Sequence, residues 1–195
     1  MRLAVRVLMA LVTIVAAALG AYLLIGAIGS DGSPAPEDGP GSVVMREPPD
    51  PIPADDERSL IRADRFARVL AKVRDDYGAA ARFISLRLEP ESLWLEAVGE
   101  GKTDFVRYDS DAEVVSRRPG KVGSRDTVPL ARIEPAIPTR IMESARRKFG
   151  IRLAELDSMA VSTDPAGPYW VAFAKEGPDR ALVSAPLSGR PVTRE

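Results

Sequence analysis

Residues 59–98 read SLIRADRFARVLAKVRDDYGAAARFISLRLEPESLWLEAV, and a change of period inside them sets the expected fold class. In the first part, apolar side chains fall at Leu60, Ala63, Phe66, Ala67, Leu70, Val73 and Tyr77, the spacing of one helical face. Arg62, Arg65, Arg68, Lys72 and Arg74 fall mostly on the other faces. Ser59 is a good N-cap, and Gly78 suits a left-handed helix end. After Gly78 the period drops to two. Ile84, Leu86 and Leu88 alternate with Ser85, Arg87 and Glu89, the pattern of a half-buried strand. Pro90-Glu91 turns the chain, and Leu93–Val98, carrying Trp94, is a second strand.

Further along, Gly99–Lys102 is a hairpin loop, Thr103–Tyr108 a third strand, Asp109–Asp111 a turn and Glu113–Ser116 a short fourth strand. The helical pattern then returns. Pro138 suits a first helical turn; Ile141, Met142, Ala145 and Phe149 form the stripe, and Gly150 is the cap. Met159 and Val161 mark a strand, and Tyr169–Ala174, carrying Trp170, another. The turns Glu176–Asp179 and Leu187–Gly189 bracket a strand at Ala181–Ser184, and Pro191–Thr193 closes the chain. Laid side by side, the halves match at Val69-Leu70 with Ile141-Met142, Tyr77-Gly78 with Phe149-Gly150, and Leu93-Trp94-Leu95 with Tyr169-Trp170-Val171. Between them, Val128–Ile133 is too apolar for a free linker, so Leu130 and Ile133 should be buried at the junction.

Upstream, the run Val7–Ile28 carries no charge and, at about 1.5 Å per residue, is long enough to cross a ~30 Å hydrocarbon core. Arg2 and Arg6 precede it, whereas Asp31, Glu37 and Asp38 follow. The positive-inside rule therefore puts the N-terminus in the cytoplasm and exports the rest. The run exceeds the roughly 7–15 apolar residues of a cleaved signal, so residues 1–28 read as an uncleaved, single-pass anchor. Residues 29–58, rich in Pro, Gly and acids, read as a disordered spacer interrupted only by the apolar Val43–Met45. The expected architecture is α+β: an N-terminal transmembrane helix, then two helix-plus-antiparallel-meander repeats at about 59–116 and 135–195, forming one extracytoplasmic domain.

The chain has no Cys and no His. That removes disulfides, a lipid-bearing cysteine, the usual zinc ligands and every His-based triad. The formal net charge of −1 does not point to nucleic acid. No cofactor and no metal is expected. Asp104, Asp109, Asp111 and Glu113 cluster around one hairpin, but without the spacing and Gly of a calcium loop, so they read as turn chemistry. No Ser-x-x-Lys stands at a helix start to support a Ser–Lys hydrolase.

Two groups remain as candidate partner-binding residues. Trp94 and Trp170 are potential interface anchors, although a Trp in a central strand more often packs beneath a helix. Arg146, Arg147 and Lys148 complement the dipole of a helix end and also suit an anionic partner.

The helix–strand–strand–strand unit resembles a PepSY-type module. Ile141–Gly150 is similar to its amphipathic helix and closing Gly, Tyr169-Trp170-Val171 to its central aromatic strand, and Ser188–Val192 to its terminal Gly-containing turn. The first half departs from the pattern, with Asp111-Ala112-Glu113 where a Gly belongs. The resemblance implies an α+β envelope domain with a non-catalytic binding or regulatory role and no catalytic residues. The expected partners are the membrane and an envelope protein. The alternatives are a structural subunit of a membrane complex and a small envelope hydrolase working with carboxylates alone.

Overall fold

The first helix, α1 (Ala63–Tyr77), starts later than the stripe predicts. Ser59 caps a turn ahead of it, its Oγ accepting the Ile61 N–H at 3.2 Å, while Leu60 and Ile61 are fully buried in that turn. The computed structural model describes residues 44–47, 50–99, 102–120, 126–174 and 182–194. The expected anchor at Val7–Ile28 lies outside the described residues, as do the first part of the spacer, the tip of the Gly99–Lys102 loop, the turn Glu176–Asp179 and Ala181. Among the described residues no helix is long and apolar enough to cross a membrane.

The strands follow the alternation closely. They are β1 (Val44–Met45), β2 (Arg82–Leu88), β3 (Ser92–Gly99), β4 (Lys102–Asp109), β5 (Val114–Pro119) and β6 (Val128–Pro129). After α2 (Ile137–Phe149) come β7 (Leu156–Asp164), β8 (Gly167–Ala174), β9 (Leu182–Pro186) and β10 (Thr193–Arg194). All pair antiparallel in one ten-stranded sheet, in the order β1-β5-β4-β3-β2-β7-β8-β9-β10, with β6 beside the start of β2.

This corrects the expected class. Each helix is followed by a meander, but the two meanders join where β2 pairs with β7, through Leu86 opposite Val161, Arg87 opposite Ala160 and Leu88 opposite Met159. The described chain is therefore mainly β, a single sheet carrying two helices, and not a pair of separate α+β repeats. The physical cause is edge satisfaction. Separate meanders would each leave a long strand edge unpaired, and pairing β2 with β7 removes both. The outermost strands, β1 and β10, are two residues long, which leaves little edge to template aggregation.

Both helices lie on one face of this sheet and share one apolar cluster, in which Phe66, Leu70 and Val73 meet Leu86, Leu88, Met159, Trp170, Ile137 and Ile141. Leu130 and Ile133 are buried in it as their sequence implied. The Leu130 N–H also donates to the Ala81 carbonyl at 2.9 Å. Unfolding of residues 40–195 should accordingly give one transition by fluorescence and by far-UV circular dichroism alike; two resolved transitions would mean separate cores.

Three local departures have clear causes. A β-bulge between Phe83 and Ser85 inserts Ile84 as an extra residue, so Phe83 rather than Ile84 is fully buried. Gly78 ends α1 at φ 82° and ψ 165°, a positive-φ conformation open to glycine but outside the left-handed helical basin, whereas Gly150 is left-handed and donates its N–H to the Arg146 carbonyl at 3.0 Å. The spacer also does not run free to Arg58. Val44 pairs opposite Arg117, Met45 opposite Ser116, and Ile52 and Ala54 are buried. Val44 and Met45 attach this Pro-rich stretch through backbone pairing, with the Met45 side chain left exposed, while Ile52 and Ala54 attach it by burial.

Candidate functional site

The side chains of a strand point to alternate faces, so the two tryptophans are separated by their parity. Trp170 points towards the helices. It is 1% exposed and meets Phe66 of α1 edge-on, with ring centroids 6.5 Å apart. Trp94 points the other way, because Leu93 and Leu95 take the core positions of β3. The side-by-side match of the halves fails at this point, since the two paired tryptophans lie on opposite faces of the sheet. Trp170 is a core residue, and Trp94 alone remains a candidate for partner contact.

Trp94 is held by neighbours from three strands and a turn. Its Nε1–H donates to Glu89 Oε2 at 2.9 Å. The same carboxylate accepts the Ser92 hydroxyl at 2.8 Å and pairs with Arg87 Nε at 2.9 Å. Arg107, opposite Trp94 in the β3–β4 register, stacks its guanidinium over the indole at 4.5 Å. Arg87 lies opposite Trp94 on the β2 side and reaches Asp157 at 3.6 Å. The row Arg107–Trp94–Arg87 thus crosses three strands on the face away from the helices. Phe105, on the same face, is 42% exposed. Glu89, Arg87 and Arg107 were not singled out in the sequence. Parity alone places Arg87 on this face, but only the strand register brings Arg107 to Trp94.

No family model matches the chain, and no curated protein matches it. Among solved structures it is similar to the crystal structure of a putative lipoprotein from Clostridium difficile 630, at 16% sequence identity and a TM-score of 0.49, with 67% of this chain and 92% of the other covered. A likeness that loose carries nothing about the chemistry of this chain.

The basic candidates lie elsewhere, at the end of α2. Arg146, Arg147 and Lys148 are all exposed. Arg147 and Lys148, with Ser144, form one wall of a cleft of about 640 Å³ whose other wall is Arg190, Pro191 and Val192. Lys148 Nζ donates to the Val192 carbonyl at 3.2 Å. Gly189 sets this second wall. It has φ 78°, and a side chain on it would meet Ile137 Cγ2 at 3.1 Å. Gly189→Ala should cost about 2 kcal/mol, combining left-handed strain with crowding against α2, as read from the denaturant midpoint. An unchanged midpoint would mean that the turn is not clamped to the helix.

The acidic hairpin is dispersed by the fold. Asp104 turns to the helix side and accepts the Tyr77 hydroxyl at 2.9 Å. Asp109 Oδ1 accepts the backbone N–H groups of Asp111 at 3.0 Å and of Glu113 at 2.9 Å, which is turn chemistry. Glu113 pairs with Arg46, and Asp111 with Arg65. Among the described residues, no group of three or more acidic side chains is placed to hold a metal ion.

A denser network latches α1 to the sheet. Asp76 accepts Lys72 Nζ at 2.6 Å, the Tyr108 hydroxyl at 2.8 Å and Arg117 Nη2 at 2.9 Å. Burial pushes its carboxyl up, but the bonds from Lys72 and Tyr108, with the charges of Lys72 and Arg117, outweigh that and hold it below the usual carboxylate range. Burial, and then the hydrogen bonds to Asp104 and Asp76, push the phenols of Tyr77 and Tyr108 well above theirs, so both stay neutral donors.

Proposed function

We propose that the chain is a non-catalytic binding or regulatory module on the outer side of the cytoplasmic membrane, which engages an envelope protein through the Trp94 face. The observation that carries the reading is the Arg107–Trp94–Arg87 row. Trp and Arg dominate the energetics of protein interfaces, and this Trp is fixed in one orientation by Glu89 and by the stacked guanidinium. A side chain already held in place loses little entropy when a partner covers it. The sequence supports the location through the uncharged run Val7–Ile28 and the charges flanking it, and through the PepSY-type motifs of the second half. A carboxylate hydrolase fits less well, because Asp76 and Asp104 accept hydrogen bonds that hold α1 against the sheet.

A photo-crosslinking amino acid in place of Phe105, in intact cells, should give a discrete adduct. Trp94→Ala should weaken that adduct at least tenfold while the melting temperature moves little. The same probe at Arg68, exposed on α1, should give none. An adduct indifferent to Trp94, or found equally from Arg68, counts against this face.

A further inference from the structure

We propose that the cleft at the end of α2 is a binding site for a phosphoryl group. Arg147, Lys148 and Arg190 converge on it from two separate segments, and no carboxylate lines it. Among the described residues none of these three cations takes part in an ion pair. A solvated helix end accounts for Arg147 and Lys148, whose charges complement the dipole, but it does not account for Arg190. That residue is delivered by the Gly189 turn, which is pressed against Ile137 of the same helix.

The second observation is Ser144. It is 8% exposed, lines the cleft, and its hydroxyl makes no hydrogen bond to the protein. Its hydroxyl is not among the sealed atoms left without a partner, so it keeps access to the solvent of the cleft, where a ligand oxygen would accept it.

Charge balance decides the class of ligand. The helix end contributes roughly half a negative charge. Against three cations this leaves the cleft net positive by roughly two or more, a match for a dianion and an excess for a carboxylate. Two guanidinium forks, an ammonium and a hydroxyl also supply more donors than two carboxylate oxygens accept, whereas a tetrahedral phosphoryl group presents three free oxygens. The volume, about 640 Å³, leaves room for whatever carries that group. A soluble phosphate ester and a lipid headgroup share this chemistry.

The test uses the full chain in neutral detergent, with amide shifts of residues 144–150, 188–190 and 192 followed by NMR. Inorganic phosphate should shift them saturably, and acetate at equal ionic strength should not. The double variant Arg147→Gln/Arg190→Gln should weaken binding at least tenfold, and Ser144→Ala several-fold. Arg118→Gln, a change at an exposed arginine on β5, should leave it intact. A parallel arm places the chain in phosphatidylcholine nanodiscs with and without phosphatidic acid. Shifts with inorganic phosphate alone support the site with a soluble ligand, and shifts that appear or strengthen with phosphatidic acid support it with a headgroup. Shifts with neither, or shifts that survive the double variant, overturn it.

Discussion

Trp170→Ala should lower the unfolding free energy of residues 40–195 by about 4 kcal/mol, and Trp170→Phe by far less. The indole is 1% exposed and spans the two halves of the chain, since it belongs to β8 yet packs on Phe66 of α1. Removing it opens a cavity in the middle of the shared core rather than at the rim of one half. Phenylalanine keeps most of the volume. It also removes a defect, because the buried Trp170 Nε1–H has no hydrogen-bond partner. An unmet donor of that kind costs about 1–3 kcal/mol, so its loss offsets part of the lost packing. Chemical denaturation monitored through Trp94, the other of the chain's two tryptophans, reads both variants. A loss under about 1 kcal/mol for the alanine variant would mean that the halves do not share a core.

That prediction could not have been framed from the sequence, which places both tryptophans in equivalent strands. The alternation of Leu86, Arg87 and Leu88, or of Leu93, Trp94 and Leu95, locates strands and even their faces, because it is a property of neighbours along the chain. The pairing of β2 with β7 joins residues such as Leu88 and Met159, and no local pattern encodes that. Short-range misreadings have their own causes. Ile84 slips by one position because a bulge adds a residue. Val44–Met45 looks like an isolated patch in a spacer until the free edge of β5 is there to receive it. Of the candidate residues, Arg147 and Lys148 could be named from their place at a helix end. Arg190 could not, because its approach depends on a turn pressed against a helix far away in sequence.

The Asp76 latch supplies the second large effect. Asp76→Ala should cost about 3 kcal/mol at pH 7, because it strands the fully buried Tyr108 hydroxyl and takes from Arg117 its short contact. Both partners lie on the sheet and Asp76 on α1, so the loss cuts the helix end's tie to β5 and leaves the Tyr77–Asp104 bond as its polar tie to β4. The same carboxyl gives the fold an acid limit. Its folded-state affinity for protons is lowered. A group depressed in this way binds fewer protons folded than unfolded. Its stabilisation is therefore complete above the unfolded value of about 3.9, and falls away as pH drops through the lower folded value. Denaturant titrations from pH 7 down to about 2.5 should show the wild-type chain losing stability below about pH 4. Asp76→Asn, which keeps the shape and removes the charge, should start lower at neutral pH and fall less steeply across the acid range. Parallel pH profiles for the two chains would place the acid sensitivity elsewhere and reduce Asp76 to one contact among many.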